Sequence, residues 1–231
     1  MNVGPNLSKI ASIIADPSRG KMLASLMNLD GLPASELAHM AGVTAQTASS
    51  HLSKMVAGGL VKLTKQGRHR YYSIASEQVA DILEKLAILS PMPAAKTTRD
   101  SIELKSLRVG RTCYGHLAGR AGVALLDRLL TKKYLEKNGD DYSITSEGNA
   151  FFEQLGLSLE SLQNLRRVFA CPCLDWTERK YHLAGALGSA LTALLFEKGF
   201  VRRFENSRAV AFTDNGRVFF LEKFLIDVTK L

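Results

Sequence analysis

The sequence predicts a mainly α-helical protein with small β-hairpins, an α+β arrangement. Three observations support this prediction: apolar residues recur at helical spacing, short apolar strands flank glycine turns, and the C-terminal half contains an internal repeat. The 231 residues are 46% hydrophobic, which is ordinary for a packed protein and allows one large domain or two small ones. The net charge of +8 favours an anionic partner.

The chain begins with two predicted short helices. Apolar residues at helical spacing indicate one helix that ends before Asp16-Pro17 and another that begins near Met22. No basic region followed by an apolar core precedes them, and the longest uncharged apolar run, residues 183–196, is shorter than the roughly 20 residues of a spanning helix. We therefore expect a cytoplasmic protein with no membrane partner.

Residues 33–57 predict two helices separated by a sharp turn. Pro33 suits the first position of a helix, and Leu37 and Met40 give that helix an apolar stripe. Gly42 is expected to end it, and Thr44 is a good N-cap for the next helix. The apolar positions of that second helix recur at helical spacing and are Ala45, Ala48, Leu52, Met55 and Val56.

The opposite side of the second helix carries amide, hydroxyl and ammonium groups without a carboxylate. At about 100° per residue these are Gln46, Thr47, Ser50 and Lys54. A predicted hairpin follows, with its turn at Gln66-Gly67, and its cationic residues are Lys62, Lys65, Arg68 and Arg70, accompanied by His69. The pattern is that of a winged helix-turn-helix. We predict that the DNA-binding residues are Gln46, Thr47, Ser50, His51, Lys54, Lys65, Arg68 and Arg70.

Three segments carry a resemblance to a known family: ADPSRGKMLASL at 15–26, ELAHMAGVTAQTASSHLSKMVAGGLV at 36–61 and GRHRYYSI at 67–74. Together they make residues 6–90 similar to the ArsR/SmtB family of bacterial repressors. Members that sense metal on the first helix of the motif resemble ELCVC, whereas this chain has Ala38 and Met40 at those positions. Members with a metal site on the last helix have Asp-x-His, whereas Asp81-Ile82-Leu83 stands here. Neither familiar metal site is present, so we assign no metal ligand.

A further helix through Leu89, capped by Ser76, follows the predicted wing. Its apolar stripe consists of Val79, Ile82, Leu83, Leu86 and Leu89. The stripe could pack on its own winged helix. The family resemblance implies instead that the first and last helices form a two-fold homodimer, and we prefer this reading. Such a dimer would place two recognition helices about one DNA turn apart.

Residues 90–98 contain two prolines and no periodicity, so we expect a boundary between residues 1–90 and residues 99–231. In the second part, residues 116–137 match residues 182–203, and both begin with HLAG. The predicted repeats, about 99–157 and 177–231, are winged-helix-like, each ending in a helix capped by Thr145 or Thr213. Their first helices are apolar on nearly every face, which excludes further DNA readers and favours a ligand cleft between the halves.

The second part also contains all three cysteines, whose odd number argues for free thiols or a functional site. The predicted effector-binding residues are Cys113, Tyr114, His116, Cys171, Cys173, Trp176, Tyr181 and His182. An organic ligand in an aromatic cleft is the first interpretation, a soft metal or a thiol switch the second, and haem held through Cys-Pro the third. Alternatively, HLAG is only a packing motif and the cysteines are small apolar residues.

These patterns predict a homodimeric, ligand-responsive repressor that binds an operator in double-stranded DNA. Its effector would be a small molecule or a thiol-reactive compound, and no cofactor or catalytic residue is expected. No Gly-rich cofactor loop follows a strand, which argues against an enzyme. The alternatives are a thiol- or metal-responsive regulator, an architectural DNA-binding protein and a winged helix fused to an enzyme.

Overall fold

The computed structural model describes residues 6–28, 31–90, 97–204 and 207–231. The chain separates into two compact units, Met1–Leu83 and Glu84–Leu231. Most of the expected boundary at 90–98 lies outside the described residues. The predicted fold class, mainly α with small antiparallel hairpins, is confirmed. Among the described residues, no helix is long and apolar enough to cross a bilayer.

The first unit is a helical domain with a three-stranded antiparallel sheet of order β1-β3-β2. Helix α5 begins in this unit and ends in the second. The elements are α1 (Leu7–Ile14), α2 (Pro17–Asn28), β1 (Leu32–Pro33), α3 (Ala34–Ala41), α4 (Ala45–Ala57), β2 (Val61–Gln66), β3 (His69–Ile74) and α5 (Glu77–Leu89).

Local capping signals place the turn between α3 and α4. Gly42 ends α3 with a φ of +71°, a backbone conformation that glycine adopts without strain. Thr44 caps α4, and its hydroxyl oxygen accepts a hydrogen bond from the Thr47 N–H at 3.2 Å. Both predictions are confirmed. Pro33 differs from its prediction because it pairs with Tyr71 in the sheet, and this extended backbone places it before the first turn of α3.

The core of the first unit uses a narrower face of each helix than the sequence suggested. Leu37, Leu52 and Met55 are completely buried. Three residues predicted on the same stripes, Met40, Ala45 and Val56, are exposed instead. Consecutive helical residues are about 100° apart, so a neighbour of a buried residue turns toward solvent.

The second unit is built from short antiparallel hairpins between helices. Its elements are α6 (Thr98–Val109), β4 (Arg111–Cys113), β5 (His116–Ala118), α7 (Gly119–Thr131), β6 (Leu135–Asn138), β7 (Asp141–Ile144), α8 (Ser146–Gln154), α9 (Leu159–Gln163), β8 (Cys171–Leu174), β9 (Tyr181–Ala184), α10 (Gly185–Glu197), β10 (Val201–Arg203), β11 (Val210–Phe212), α11 (Asp214–Phe224) and a 3₁₀ turn (Val228–Lys230).

The two repeat copies share one element order: a hairpin, an apolar helix, a second hairpin and a capped helix. Thr145 and Thr213 cap the last helix of each copy and accept hydrogen bonds at 2.9 and 3.0 Å, as predicted. The sequence analysis missed the first hairpin of each copy, β4–β5 and β8–β9, and treated HLAG as the start of a helix. It also missed α6, although Thr97 and Asp100 form a capping box that was readable from the sequence.

The two copies pack reciprocally, because α7 lies against β9 and α10 lies against β5. Within each copy, a helical glycine also lets the apolar helix lie close to the strand that precedes it. A Cβ at Gly122 would lie 2.2 Å from the Leu117 carbonyl oxygen, and a Cβ at Gly188 would lie 2.5 Å from that of Leu183. Helices α7 and α10 bury most of their apolar residues, which agrees with excluding them as DNA readers.

Candidate DNA-binding surface and Cys/His cluster

Helix α4 presents a polar strip to solvent, opposite its buried residues. Gln46, Thr47, Ser50 and Lys54 are all exposed, and α4 contains no acidic residue. The Thr47 hydroxyl is 2.9 Å from that of Thr44 at the start of the helix. The strip therefore offers side-chain amide, hydroxyl and ammonium groups to an external partner.

His51 is placed differently from the other predicted DNA-binding residues. Its Nδ1 lies 3.1 Å from Arg19 Nη1 and 4.0 Å from Asp16 Oδ1, and its side chain is 15% exposed. Arg19 also donates to the carbonyl oxygens of Ser12 and Ile13. The structure thus directs His51 toward α2 in its own unit, away from the exposed strip.

The wing is the hairpin of β2 and β3, in which residues 62–70 are all exposed. Gly67 has a φ of +60° in the two-residue loop between Gln66 and His69. Lys65 lies directly opposite Arg70 in the register. Like charges in this position destabilise a hairpin unless an anion lies between them. The wing therefore suits a phosphate group.

Helix α5 exposes the apolar residues of its predicted stripe. Ile82 is 53% exposed, Leu86 39% and Leu89 83%, whereas Val79 and Leu83 are half-buried. The Ser76 hydroxyl accepts a hydrogen bond from the Val79 N–H at 3.3 Å, as expected for the N-cap. Ile82, Leu86 and Leu89 thus form an exposed apolar surface among the residues that the structure describes.

Four of the eight predicted effector residues come together in the second unit: Cys113, His116, Cys173 and His182. Cys113 pairs with His116 in the β4–β5 hairpin, and Cys173 pairs with His182 in the β8–β9 hairpin. Their potential ligand atoms all lie within 4.8 Å of one another. Three of the residues are buried and Cys173 is half-buried. We call these four residues the Cys/His cluster.

The other four predicted residues lie outside the Cys/His cluster. Tyr114 and Tyr181, each next to a member of the cluster, are exposed. Cys171 is half-buried and lies on β8 two residues before Cys173, where it pairs with Ala184 of β9. Trp176 is buried, and the Arg111 guanidinium lies 4.8 Å from the centre of its ring. The three cysteines form no disulfide in the described part of the chain.

Asp175 and Arg111, which the sequence analysis missed, form a buried ion pair next to His182 of the cluster. Both side chains are completely buried, and Asp175 Oδ2 lies 3.0 Å from Arg111 Nη2. The same oxygen accepts a hydrogen bond from the Gly119 N–H at 2.6 Å and lies 3.7 Å from His182 Nδ1. Burial opposes ionisation, but the Arg111 charge and the hydrogen bonds from Thr177 and Gly119 hold the pKa of Asp175 below its usual value. A carboxylate therefore faces His182. The available signal was an acidic residue between apolar Leu174 and Trp176.

Protonation in the cluster follows from burial and close contact. Burial, followed by the neighbouring His116, holds the pKa of His182 well below its ordinary value. Its imidazole is therefore neutral at physiological pH and keeps a lone pair. The hydrogen bond with Cys173, together with burial, raises the pKa of Cys113 well above its ordinary value. Without a bound cation, Cys113 is therefore a thiol.

An exposed polar helix in a helix-turn-helix, followed by a cationic wing, defines a DNA-binding winged helix-turn-helix protein. No family model matches the chain. It is 43% identical over 218 residues to the uncharacterized HTH-type transcriptional regulator YdfF of Bacillus subtilis, spanning 94% of this chain and 96% of that protein. It is also 34% identical over 80 residues to the HTH-type transcriptional regulator CmtR of Mycobacterium tuberculosis, spanning 35% of this chain and 67% of that protein.

Among solved structures, NolR from Sinorhizobium fredii is 30% identical with a TM-score of 0.33, and the match covers 36% of this chain and 82% of NolR. The match to YdfF runs through both units and covers nearly all of each protein. The chain therefore belongs to the HTH-type transcriptional regulators.

Proposed function

We propose that this DNA-binding regulator is a homodimeric repressor. An effector bound in its second unit would lower its affinity for a two-half-site operator. The observation that carries the DNA-binding part is the exposed strip of α4 beside a wing in which Lys65 faces Arg70. The positive charges of this surface are attracted to phosphates, and its uncharged polar side chains can form hydrogen bonds with base edges. The proposed function is regulatory and assigns no catalytic residue.

The DNA contacts divide by chemistry. Gln46 can pair with the N6 and N7 edge of adenine in the major groove, and the hydroxyls of Thr47 and Ser50 can bind either donors or acceptors there. The cations Lys54, Lys65, Arg68 and Arg70 suit phosphates, whose attraction does not depend on base sequence. The proposal therefore separates residues that specify the operator from residues that hold the backbone.

The test compares the upstream region of the protein's own gene with random DNA of equal length, at one fixed salt concentration. A repressor should bind its operator at least about 10³-fold more tightly than random DNA. Equal affinity for both DNAs would instead support an architectural DNA-binding protein.

The homodimer is expected to bury the exposed face of α5, because Ile82, Leu86 and Leu89 are otherwise open to water. Leu86→Glu should give a folded monomer in sedimentation, since it would place charges inside an apolar interface. The monomer should bind a two-half-site operator far more weakly than the parent chain. Gln78→Glu, an exposed change on the same helix, is the control and should stay dimeric. A Leu86→Glu protein that remained a dimer would disprove this interface.

The effector is expected at the Cys/His cluster, since the buried polar side chains of both repeat copies meet there. A ligand bound by both copies would favour one relative arrangement of β5 and β9 over others. A change of about 1 to 3 kcal/mol in that equilibrium would alter operator affinity measurably. An organic effector and a thiol-reactive effector remain alternative occupants of the sensor.

A further inference from the structure

We propose that Cys113, His116, Cys173 and His182 form a four-coordinate site for one soft cation of the Zn²⁺ class per chain. Two thiolates and two imidazoles are the donor set that tetrahedral Zn²⁺ takes in structural sites. The site lies in the second unit and uses no residue of α3 or α5. It arises because each repeat copy contributes one cross-strand Cys–His pair.

The distances fit tetrahedral coordination. With Zn–S near 2.3 Å and Zn–N near 2.0 Å, two sulfur ligands stand about 3.8 Å apart and two nitrogen ligands about 3.3 Å apart. The Cys113 and Cys173 sulfurs are 4.0 Å apart, and His182 Nε2 is 3.1 Å from His116 Nδ1. The ligand atoms need to move only by tenths of an ångström to surround an ion.

The histidines are already oriented as ligands. His182 Nδ1 is buried and makes no hydrogen bond among the described residues, while its Nε2 faces the centre of the cluster. When Nε2 binds a cation, the proton must sit on Nδ1, which points toward the ionised Asp175 carboxylate 3.7 Å away. A carboxylate behind a ligating imidazole fixes its tautomer and strengthens its basicity. Asp175 is thus a positioning residue for the site.

Cation binding would convert both thiols to thiolates and release their two protons to solvent. The gain of two metal–sulfur bonds offsets the cost of burying the charges, because the two thiolates neutralise a divalent ion. Access is open from one side, since Cys173 is half-buried and the adjoining residues Tyr114 and Tyr181 are exposed.

Two other occupants fit less well. An organic ligand would need space between α7 and α10, but the cavity there, lined by Leu117, Leu183 and Thr192 among others, holds no more than about one water molecule. A Cys113–Cys173 disulfide would need an external oxidant, and the sulfurs would have to close from 4.0 Å to about 2.05 Å. A disulfide also leaves the facing histidine nitrogens unexplained.

If the proposed repressor function holds, the ion would act as its effector. Thr112, next to Cys113, donates its N–H to the Arg208 carbonyl oxygen at 2.8 Å. The Arg208 side chain pairs with Glu84 of α5. A shift of Cys113 on coordination would reach α5 through these two contacts. Operator affinity should then change by about 5- to 150-fold between the metal-free and metal-bound protein.

The binding experiment uses the full chain, reduced and freed of metal with a chelator, and titrated with Co²⁺ under nitrogen. One equivalent should produce the visible bands of tetrahedral Co²⁺ and a thiolate-to-cobalt charge-transfer band, and Zn²⁺ should displace it. With Zn²⁺ bound, alkylation should no longer modify the half-buried Cys173, whereas Cys171 should react with and without the ion. X-ray absorption of the Zn²⁺ form should show two sulfur and two nitrogen neighbours.

Variants then assign the ligands. Cys113→Ser combined with Cys173→Ser should abolish the charge-transfer band, whereas Cys171→Ser, on the same strand, should retain it. Asp175→Asn should retain the bands but weaken Zn²⁺ binding by about 10- to 100-fold. Circular dichroism establishes that each variant is folded, and the alkylation and X-ray measurements on the parent chain do not depend on the variants.

Three results would overturn the metal site: no tetrahedral bands with the reduced parent chain, bands that survive the double serine change, or equal alkylation of Cys173 with and without Zn²⁺. Operator binding is measured separately. A chain that binds Zn²⁺ with no effect on operator affinity would keep the site and refute its role as effector. A chain that binds its operator but no cation would keep the repressor and refute the site.

Discussion

The two units handle charge in opposite ways. In the first unit, the Lys and Arg side chains of α4 and of the wing are exposed. Of the charged residues that the structure describes in this unit, Arg19 is the one that is buried. In the second unit, Arg111 and Asp175 are buried together beside His116 and His182. Exposed charge can act on a partner outside the chain, whereas buried charge orients other buried groups. The comparison therefore predicts that substitutions will separate DNA affinity from stability.

The largest loss of stability should follow Asp175→Ala. This change leaves Arg111 buried without its counter-charge and removes the acceptor for the Gly119 and Thr177 N–H groups. Breaking a buried ion pair costs about 3 to 5 kcal/mol. Urea unfolding can be followed by fluorescence of Trp176, the single tryptophan, which lies in the same unit.

The matched control is Asp214→Ala, which removes an exposed ion pair with Arg217. Surface pairs contribute about 0 to 1 kcal/mol, so its unfolding midpoint should hardly move. Operator affinity of the folded Asp175→Ala protein in the absence of metal should stay near that of the parent chain. If Asp175→Ala and Asp214→Ala lowered the free energy of unfolding equally, the buried ion pair would contribute no more to stability than an exposed one.

Gly188→Ala should destabilise the second unit by about 1 to 3 kcal/mol, the usual cost of overpacking. The added methyl group would lie 2.5 Å from the Leu183 carbonyl oxygen, a backbone atom that cannot turn aside. Gly20→Ala in α2 is the control, because its nearest atom would be 3.9 Å away. That change should stabilise the first unit by up to about 1 kcal/mol through helix propensity.

Thermal unfolding by circular dichroism distinguishes these two glycines. A Gly188→Ala protein as stable as the parent would show that α10 can move away from β9, and the close packing of this helix on the strand that precedes it would then not depend on the glycine.

Features set by neighbouring residues were predictable from the sequence. Gly42, Thr44, Thr145 and Thr213 end or begin helices where expected, because a cap acts on the adjacent turn of the chain. The two strands of the wing and the turn at Gly67 were predictable for the same reason, because they depend on residues that are close together in the chain. The prediction that Ala45 and Val56 pack in the core was wrong, because both are exposed. Helical periodicity indicates which side of a helix faces the core, but not how wide the buried face is.

The cluster could be predicted only in part, because its members come together through tertiary pairing. Two residues separate Cys113 from His116, whereas eight separate Cys173 from His182. Matching the two HLAG segments therefore does not align Cys113 with Cys173, although strand register does. The Asp175 contact with Arg111 joins residues far apart in the chain, and no local pattern indicates it.

The same HLAG segment also shows why a packing role and a binding role did not have to be alternatives. His116 belongs to the cluster, while Gly119 has a φ of +74° and lies so close to the Arg108 carbonyl oxygen that a Cβ would be 2.8 Å away. Different residues of one motif thus serve packing and the cluster.

The smallest effects should appear in the first unit and should change DNA binding alone. Gln46→Ala should weaken operator binding by about 1 to 3 kcal/mol and leave random DNA binding nearly unchanged, since an amide pairs with base edges. Arg68→Ala should weaken binding to both DNAs and make the slope of log affinity against log salt shallower by about 1. Fluorescence anisotropy at several salt concentrations measures both quantities.

Neither change should alter the free energy of unfolding by more than about 0.5 kcal/mol, because both side chains are exposed. Ser53→Ala, on an exposed position of α4 outside the predicted set, is the control for operator binding. If Gln46→Ala weakened operator and random DNA equally, the strip of α4 would hold the phosphate backbone and specificity would have to reside elsewhere. If Arg68→Ala affected the operator alone, the wing would read bases, and the division between a specifying helix and a phosphate-binding wing would fail.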